Sequence, residues 1–501
     1  MASSGDTPKR ASPRRRAVVY RLAAVVFGLA PFVLAELLFV ALGWGRPTEH
    51  DDPFVGFSAI HPLFVRSDDG TRYEIPKSRQ KCFCPQSFAA RKADNEYRVF
   101  CLGGSTVQGR PYAVETSFTT WLEMNLQLAA PDRTWRVVNG GGVSYASYRL
   151  VPVLEEVLGY EPDLIILYTG QNEFLEDREY AHIRDRPRWI AVPWELVART
   201  RTYNLAREGY LRLRGTSLQD AWSMRPVLKA EVEAILDYRG GLEEYHRDEK
   251  WRRDVVDHFR YNVQRMVRMS RDARVPILLM NPVSNLRDCP PFKSQHRDGL
   301  TDEQRKRWSE LCREAARHSG PRSPRAVQLL RQALAIDDQH AGLHYHLAKE
   351  LDAVGDLDEA RESYVRAKEL DICPLRMPEP MHQAILDIAR QTRTPLADVR
   401  KLIEKASVGG LPGDVHLSDH VHPRIAVHRS IADLLLEEMA RQGILRPRPG
   451  WKDQQSKKAY EHLGSLGFGY FETGQRRLDA VQGWARGRST LPPPQPDSDK
   501  R

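Results

Sequence analysis

Three observations predict an α/β fold on a doubly wound parallel sheet: short apolar runs, helical patterns between them, and polar candidates just after the runs. The runs are residues 98–102, 135–138, 163–168 and 276–280. They are short and continuous, as buried strands are. The intervening residues 117–128, 148–158 and 255–270 carry helical spacing, the last with Phe259, Val263, Met266 and Val267 on one stripe. Strand and helix in alternation give a sheet covered by helices. In such sheets ligands bind beyond the carboxyl ends of the strands. Ser105, the loop Asn139-Gly140-Gly141-Gly142-Val143-Ser144 and Asn172 follow the first three runs at that edge.

The residue types there are those of nucleophilic catalysis. A serine hydroxyl near neutral pH attacks only when a neutral imidazole takes its proton and a carboxylate orients that imidazole. Ser105 stands on a turn, Gly103-Gly104-Ser105-Thr106, and Asp419-His420-Val421-His422-Pro423 places an aspartate three residues before a histidine. Donors aimed at the oxyanion are also required. Candidates are the Ser105 backbone N–H, the Asn172 side-chain amide and an N–H of the second loop. There Gly140, Gly141, Gly142 and Ser144 compete, and Gly141 or Gly142 is favoured. Singly, each signal has a plainer reading. Gly-Gly-Ser occurs in ordinary turns, an asparagine such as Asn172 more often caps a helix, and His416, His420 and His428 compete with His422. Their joint order points to ester chemistry.

At these residues the chain resembles the SGNH, or GDSL-type, hydrolase family. Its four blocks are matched in order by Gly103-Gly104-Ser105-Thr106, the loop 139–144, Gly170-Gln171-Asn172-Glu173 and Asp419-His420-Val421-His422. The likeness covers residues 95–180, 255–285 and 410–440. It implies a three-layer αβα sandwich with a parallel sheet and ester or acyl-group chemistry without a metal or organic cofactor. It carries catalytic roles to Ser105, Asp419 and His422, and oxyanion roles to Ser105, Gly141, Gly142 and Asn172. The first block departs from Gly-Asp-Ser-Leu but keeps its serine. Glu173 replaces the usual aspartate, with an expected effect on loop structure rather than chemistry. Because some members manage with a dyad, Asp419→Asn is expected to cost less than loss of Ser105 or His422.

The N-terminus bears on location. Lys9, Arg10, Arg14, Arg15 and Arg16 precede the apolar residues 17–44, interrupted only by Arg21 and Glu36. About twenty apolar residues span a bilayer. The basic cluster then stays cytoplasmic, with Glu49, Asp51 and Asp52 and a catalytic body on the far side. A cleaved signal peptide is the competing reading, disfavoured by the length of the run and the lack of a clean cleavage site.

Length and charge fit this picture. A chain of 501 residues, 41% hydrophobic and 28% charged, is large enough for two folded regions. The net charge of +9 does not indicate nucleic acid, because the basic residues are dispersed beyond the N-terminal cluster and no nucleic-acid motif accompanies them. Six cysteines make no disulfide framework, and Cys289 with Cys312 is the one pairing to test.

Between Asn172 and Asp419 lies a second pattern. Ala326, Leu330 and Ala333 recur thirty-four residues later as Ala360, Tyr364 and Ala367. Small residues at close helix crossings resemble a tetratricopeptide (TPR) repeat. One unit, about 341–373, and half of another are convincing, so the segment is expected to pack on the hydrolase body and to offer a site for a protein partner. Ala360→Arg is expected to open it locally, over about residues 325–375, with the triad intact. The aromatic-rich residues 184–253, with Trp189, Trp194, Tyr203, Trp222 and Trp251, form a lid, a substrate wall, a membrane contact or, more simply, an insertion packed on the core. A β-rich lead-in is expected over 54–88, an ordinary helical hairpin over 460–486, and disorder from Leu491 onward.

The resulting division is a basic tail (1–16), a transmembrane helix (17–44), a lead-in (45–94), a hydrolase domain in two parts (95–320 and 376–445), a TPR-like insertion (321–375) and a C-terminal helical segment with a disordered tail (446–501). The function expected is a membrane-anchored, periplasmic serine esterase acting on an ester-bearing substrate. Alternatives are an O-acyltransferase acting on envelope polysaccharide and a TPR scaffold with an inactive hydrolase fold.

Overall fold

In the computed structural model, residues 27, 30–39, 41–42, 44, 62–176, 200–202, 205, 241–320 and 323–485 are described. The chain divides into two compact units, residues 1–60 with 179–228, and residues 61–178 with 229–501.

The larger unit opens with a small antiparallel sheet of β1 (Val65–Arg66), β2 (Arg72–Glu74) and β3 (Ser87–Ala89), where Tyr73 pairs with Phe88. This is the β-rich lead-in, and Phe88 anchors it by an edge contact to Phe100 of the main sheet. The main sheet contains β4 (Glu96–Gly103), β5 (Thr134–Gly141), β6 (Leu164–Tyr168), β7 (Ile277–Asn281) and β8 (Leu396–Asp398). Its order is β5-β4-β6-β7-β8, with every pairing parallel. All four apolar runs are strands. The fifth, β8, is three residues without a pattern and is held by register alone, Leu279 against Leu396.

Helices cover both faces, which is why the strands are continuously apolar. Successive strand residues point to opposite faces. Val99, Cys101, Leu164, Ile166, Leu278 and Met280 share a core with α2 (Phe118–Ala129) and α11 (Ile425–Arg441), through Phe118, Leu122, Ile431 and Leu435. The alternate residues, including Phe100, Leu102, Ile165, Leu167 and Leu279, are buried on the other side. There α3 (Ser147–Leu158), α4 (Glu249–Asp272) and α9 (Glu379–Thr392) pack.

Between β7 and α9 the chain forms α5 (Asp302–His318), α6 (Pro324–Ile336), α7 (Ala341–Val354) and α8 (Leu357–Glu369). Gly355, with φ 93°, ends α7 in the left-handed conformation that glycine adopts without strain, and the Asp356 side chain caps α8. All six residues of the thirty-four-residue recurrence are buried. The shared core also takes in α5 through Trp308, Leu311 and Cys312, giving two successive helical pairs. Leu286 and Leu411, which lie outside the insertion, belong to the same cluster, so the insertion packs on the α/β body.

A short α10 (Val399–Ala406) follows β8, and α12 (Trp451–Ser465) and α13 (Phe468–Ala485) end the described chain. All six cysteines are free thiols, and Cys289 and Cys312 sit in different core clusters, so the pairing considered from sequence does not form.

In the smaller unit, residues 30–39 are helical, with Phe32, Val33, Leu34, Leu37 and Leu38 exposed. The Glu36 carboxylate accepts hydrogen bonds from the Arg201 and Thr202 amides and the Thr202 hydroxyl. Among the described residues no helix is long and apolar enough to cross a membrane. Residues 17–26, 28–29, 40 and 43 of the 17–44 segment, Trp189, Trp194, Tyr203, Trp222 and the tail from Leu491 lie outside the described residues. Trp251 is described, and its ring meets Phe174 edge-on at 5.4 Å, packing the start of α4 against the loop after Asn172.

Candidate active site

Ser105 is the first residue of the one-turn helix α1 (Ser105–Gln108), directly after β4. Two glycines make this turn possible. A Cβ on Gly103 would overlap the Tyr168 carbonyl, and one on Gly104 would lie 2.5 Å from Asn172 Nδ2. The Thr106 hydroxyl donates to Gln171 Oε1 at 2.9 Å, tying the serine turn to the Asn172 loop. As the opening residue of a helix, Ser105 has an N–H with no intrahelical acceptor.

The distant Asp419–His422 loop closes on this hydroxyl. His422 Nε2 is 2.8 Å from Ser105 Oγ, and His422 Nδ1 is 2.6 Å from Asp419 Oδ2. The other carboxylate oxygen, Oδ1, accepts the Val421 and His422 amides, both at 2.9 Å. The Ser418 amide donates to the His422 carbonyl at 2.8 Å and closes the loop. Burial alone would raise the Asp419 carboxyl. The facing His422 and His420 rings, with the His422 and Val421 hydrogen bonds, outweigh it and hold the group well below the ordinary carboxylate range. An ionised Asp419 accepts only, so Nδ1 carries the imidazole proton and Nε2 is free to take the proton of Ser105. Ser105 and His422 each remain 9% exposed, enough for a substrate carbonyl to reach them.

The competing histidines have structural partners. The His428 ring stacks on Phe118, and its Nδ1 accepts the Phe118 amide at 3.2 Å. His416 Nδ1 is 3.2 Å from Ser407 Oγ. His420 lies beside Asp419, its Nδ1 3.5 Å from Oδ1. Burial pushes His420 down to about 4 and His428 down to about 3. Both therefore stay neutral in the fold while the unfolded chain protonates them near 6.5. The unfolded state binds more protons below that value, so stability falls as pH drops from about 6.5 to about 4. Thermal melts across this window are expected to show the decline, with a shallower slope in His428→Gln. An unchanged slope in that variant would remove His428 from the account.

The two amides favoured from sequence for the oxyanion have acceptors within the fold. Gly141 N–H donates to Asn139 Oδ1 at 3.0 Å, and Gly142 N–H donates to the Gly103 carbonyl at 2.9 Å. Gly142 thus continues the strand pairing past β5, and the Gly141 amide is held by a side chain of its own strand. Ser144, a weaker candidate in sequence, takes a left-handed φ of 63°, and its amide has no acceptor among the described residues. Asn172 Nδ2 donates to the Tyr145 carbonyl at 3.0 Å while lying over Gly104 beside the nucleophile. Loss of one oxyanion donor costs about a hundred- to a thousandfold in turnover. Asn172→Ala is expected to lose that much kcat at near-constant melting temperature, whereas a normal kcat with a lower melting temperature would leave it only the Tyr145 contact.

Other residues brace the site. Glu173 accepts the Ser147 amide at 2.6 Å and its hydroxyl at 3.0 Å, holding the start of α3, a role in loop structure as expected. The Asn139 amide group donates to the Val107 carbonyl at 2.7 Å and Thr119 Oγ1 at 2.8 Å, fixing the second loop on α1 and α2. From α13, Gln482 Nε2 donates to the Ser418 carbonyl at 2.8 Å, and the Tyr470 hydroxyl lies 2.8 Å from Thr116 Oγ1. Nothing in the C-terminal sequence signals these contacts. Among the described residues no group of three or more His, Cys, Asp and Glu is placed to hold a metal ion.

No family model and no curated protein matches this chain. Several solved structures are similar to it. A G-D-S-L family lipolytic protein from Desulfitobacterium hafniense DCB-2 is 10% identical, with 68% of this chain and 98% of that one covered and a TM-score of 0.30. The acetylxylan esterase Axe2 from Geobacillus stearothermophilus is 14% identical over 68% and 94%, with a TM-score of 0.30. A lipase/acylhydrolase from Enterococcus faecalis is 12% identical over 71% and 100%, with a TM-score of 0.31. At these scores the likeness is weak, and the chemistry rests on the geometry above.

Proposed function

We propose that the protein is a membrane-anchored, extracytoplasmic serine esterase that hydrolyses carboxylic esters or acyl groups, with cell-envelope glycans or lipids as the substrate class. The observation that carries this reading is the continuous relay Ser105–His422–Asp419, at 2.8 and 2.6 Å. Ser105 Oγ attacks the ester carbonyl as its proton passes to His422 Nε2, and the ionised Asp419 stabilises the resulting imidazolium. The tetrahedral oxyanion is met by the Ser105 N–H, the Asn172 amide and the Ser144 N–H. His422 then protonates the leaving alcohol, and a water activated by the same imidazole releases the acid and restores Ser105. The anchor rests on the basic cluster before residue 17 and the apolar residues 17–44. The paired helices around residues 321–375 are its candidate docking surface for a protein partner.

Labelling of the full-length protein with a fluorophosphonate tests the chemistry. Wild type is expected to label, and Ser105→Ala is not. Equal labelling of both would reject Ser105 as the nucleophile. Retention in the membrane fraction after an alkaline wash tests the anchor, and release of the full-length chain would reject it.

A further inference from the structure

The loop that carries Asp419 and His422 is held from behind by one buried side chain that takes no part in the relay. Asn285 follows β7 and is 1% exposed. Its backbone N–H donates to the His420 carbonyl at 2.9 Å, and its Nδ2 donates to the Asp419 carbonyl at 3.2 Å and to Asp414 Oδ1 at 2.8 Å. Its Oδ1 accepts the Asp288 amide at 2.9 Å. Asp288 returns the contact, its Oδ2 accepting the Asp414 amide at 2.9 Å. The Asn285 carbonyl accepts from Arg376 Nη1 at 3.1 Å, a buried guanidinium that also donates to the Cys289 carbonyl at 2.6 Å.

We propose that Asn285 is a positioning residue for the relay, fixing the Asp419 backbone so that its carboxylate stays on His422 Nδ1; this rests on the serine-esterase reading above. The main chain of residues 419 and 420 is gripped twice from one residue, once by the Asn285 amide and once by its side chain. The carboxylate is gripped separately by the Val421 and His422 amides. Without the Asn285 side chain the second grip remains but its platform is loosened. Small misplacements of a catalytic group carry large rate penalties. Asparagine suits the position because its side chain has both a carbonyl acceptor and two N–H donors, and three neighbours use them.

The test uses the full-length protein with Asn285→Ala, Asn285→Asp, Tyr345→Phe and Ser105→Ala. Asn285→Asp keeps the acceptor for Asp288, loses the donation to Asp419 and sets a carboxylate against Asp414. Tyr345→Phe removes a hydroxyl that donates to the neighbouring Arg287 carbonyl at 3.1 Å and touches no relay residue. Both Asn285 variants are expected to lower kcat for a short aryl ester about ten- to a hundredfold at near-constant KM. They are also expected to shift the downfield proton resonance of His422 Nδ1–H, since the Asp419 carboxylate that accepts this proton is displaced. Tyr345→Phe is expected to do none of these. Should Asn285→Ala be insoluble, Asn285→Asp decides alone. A wild-type kcat and proton resonance with only a lower melting temperature would overturn the inference. In that case an inactive Ser105→Ala would leave the esterase reading standing, whereas an active Ser105→Ala would reject that reading first.

Discussion

Ser105→Ala and His422→Ala are each expected to lower turnover of a short-chain aryl ester by about 10⁴- to 10⁶-fold, and the double variant little further, because the two groups act as a unit. The expectation rests on the 2.8 Å contact between Ser105 Oγ and His422 Nε2, the proposed route for the hydroxyl proton. Steady-state rates, with folding checked by thermal melting, decide the matter. Near-normal turnover in either variant would dismiss the relay. Asp419→Asn is also expected to be severe, contrary to the milder loss the family resemblance suggested. The Val421 and His422 amides hold Oδ1, so the new amide group would be turned towards His422 Nδ1 and favour the wrong tautomer.

Ala360→Arg is expected to destabilise the protein by about 3–5 kcal/mol, through overpacking and an unpaired buried charge. Ala360 is fully buried in the core shared by the paired helices. The sequence suggested that such damage stays local and spares the triad. Leu286 and Leu411 belong to that same core, and the Leu286 amide donates to the Pro412 carbonyl at 2.9 Å. Leu286 adjoins Asn285, which holds the Asp419 loop. Hydrogen exchange is therefore expected to rise beyond residues 325–375, into about 283–292 and 408–423, with ester turnover falling in step. Full activity with exchange confined to the helices would show the insertion to be mechanically independent.

Much of the fold was legible because its signals are local. Strands buried on both faces must be apolar throughout, so four of the five could be read from composition and length alone. The serine turn was legible because a close approach to Tyr168 demands glycine at 103, and the Asp419–His422 pair because a carboxylate hydrogen-bonded to an imidazole needs only three residues of separation. The thirty-four-residue recurrence was legible because a helix crossing tolerates only small side chains.

What tertiary structure alone decided depends on partners far apart in the chain. Strand β8 exists because Leu396 meets Leu279, 117 residues earlier, and three residues carry no periodicity of their own. The amides of Gly141 and Gly142 are unavailable to an oxyanion because Asn139 and Gly103 occupy them, and a glycine-rich loop reads the same whichever amide is free. For the competing histidines the structure adds the partners: the His422 ring meets Ser105, whereas those of His420 and His428 meet Asp419 and Phe118. Asn285 and Gln482 reach the catalytic loop by hydrogen bonds to its main-chain carbonyls. Every residue but its side chain offers the same carbonyl, so such a bond leaves no complementary residue type in the sequence, and only the folded backbone determines which carbonyl is met.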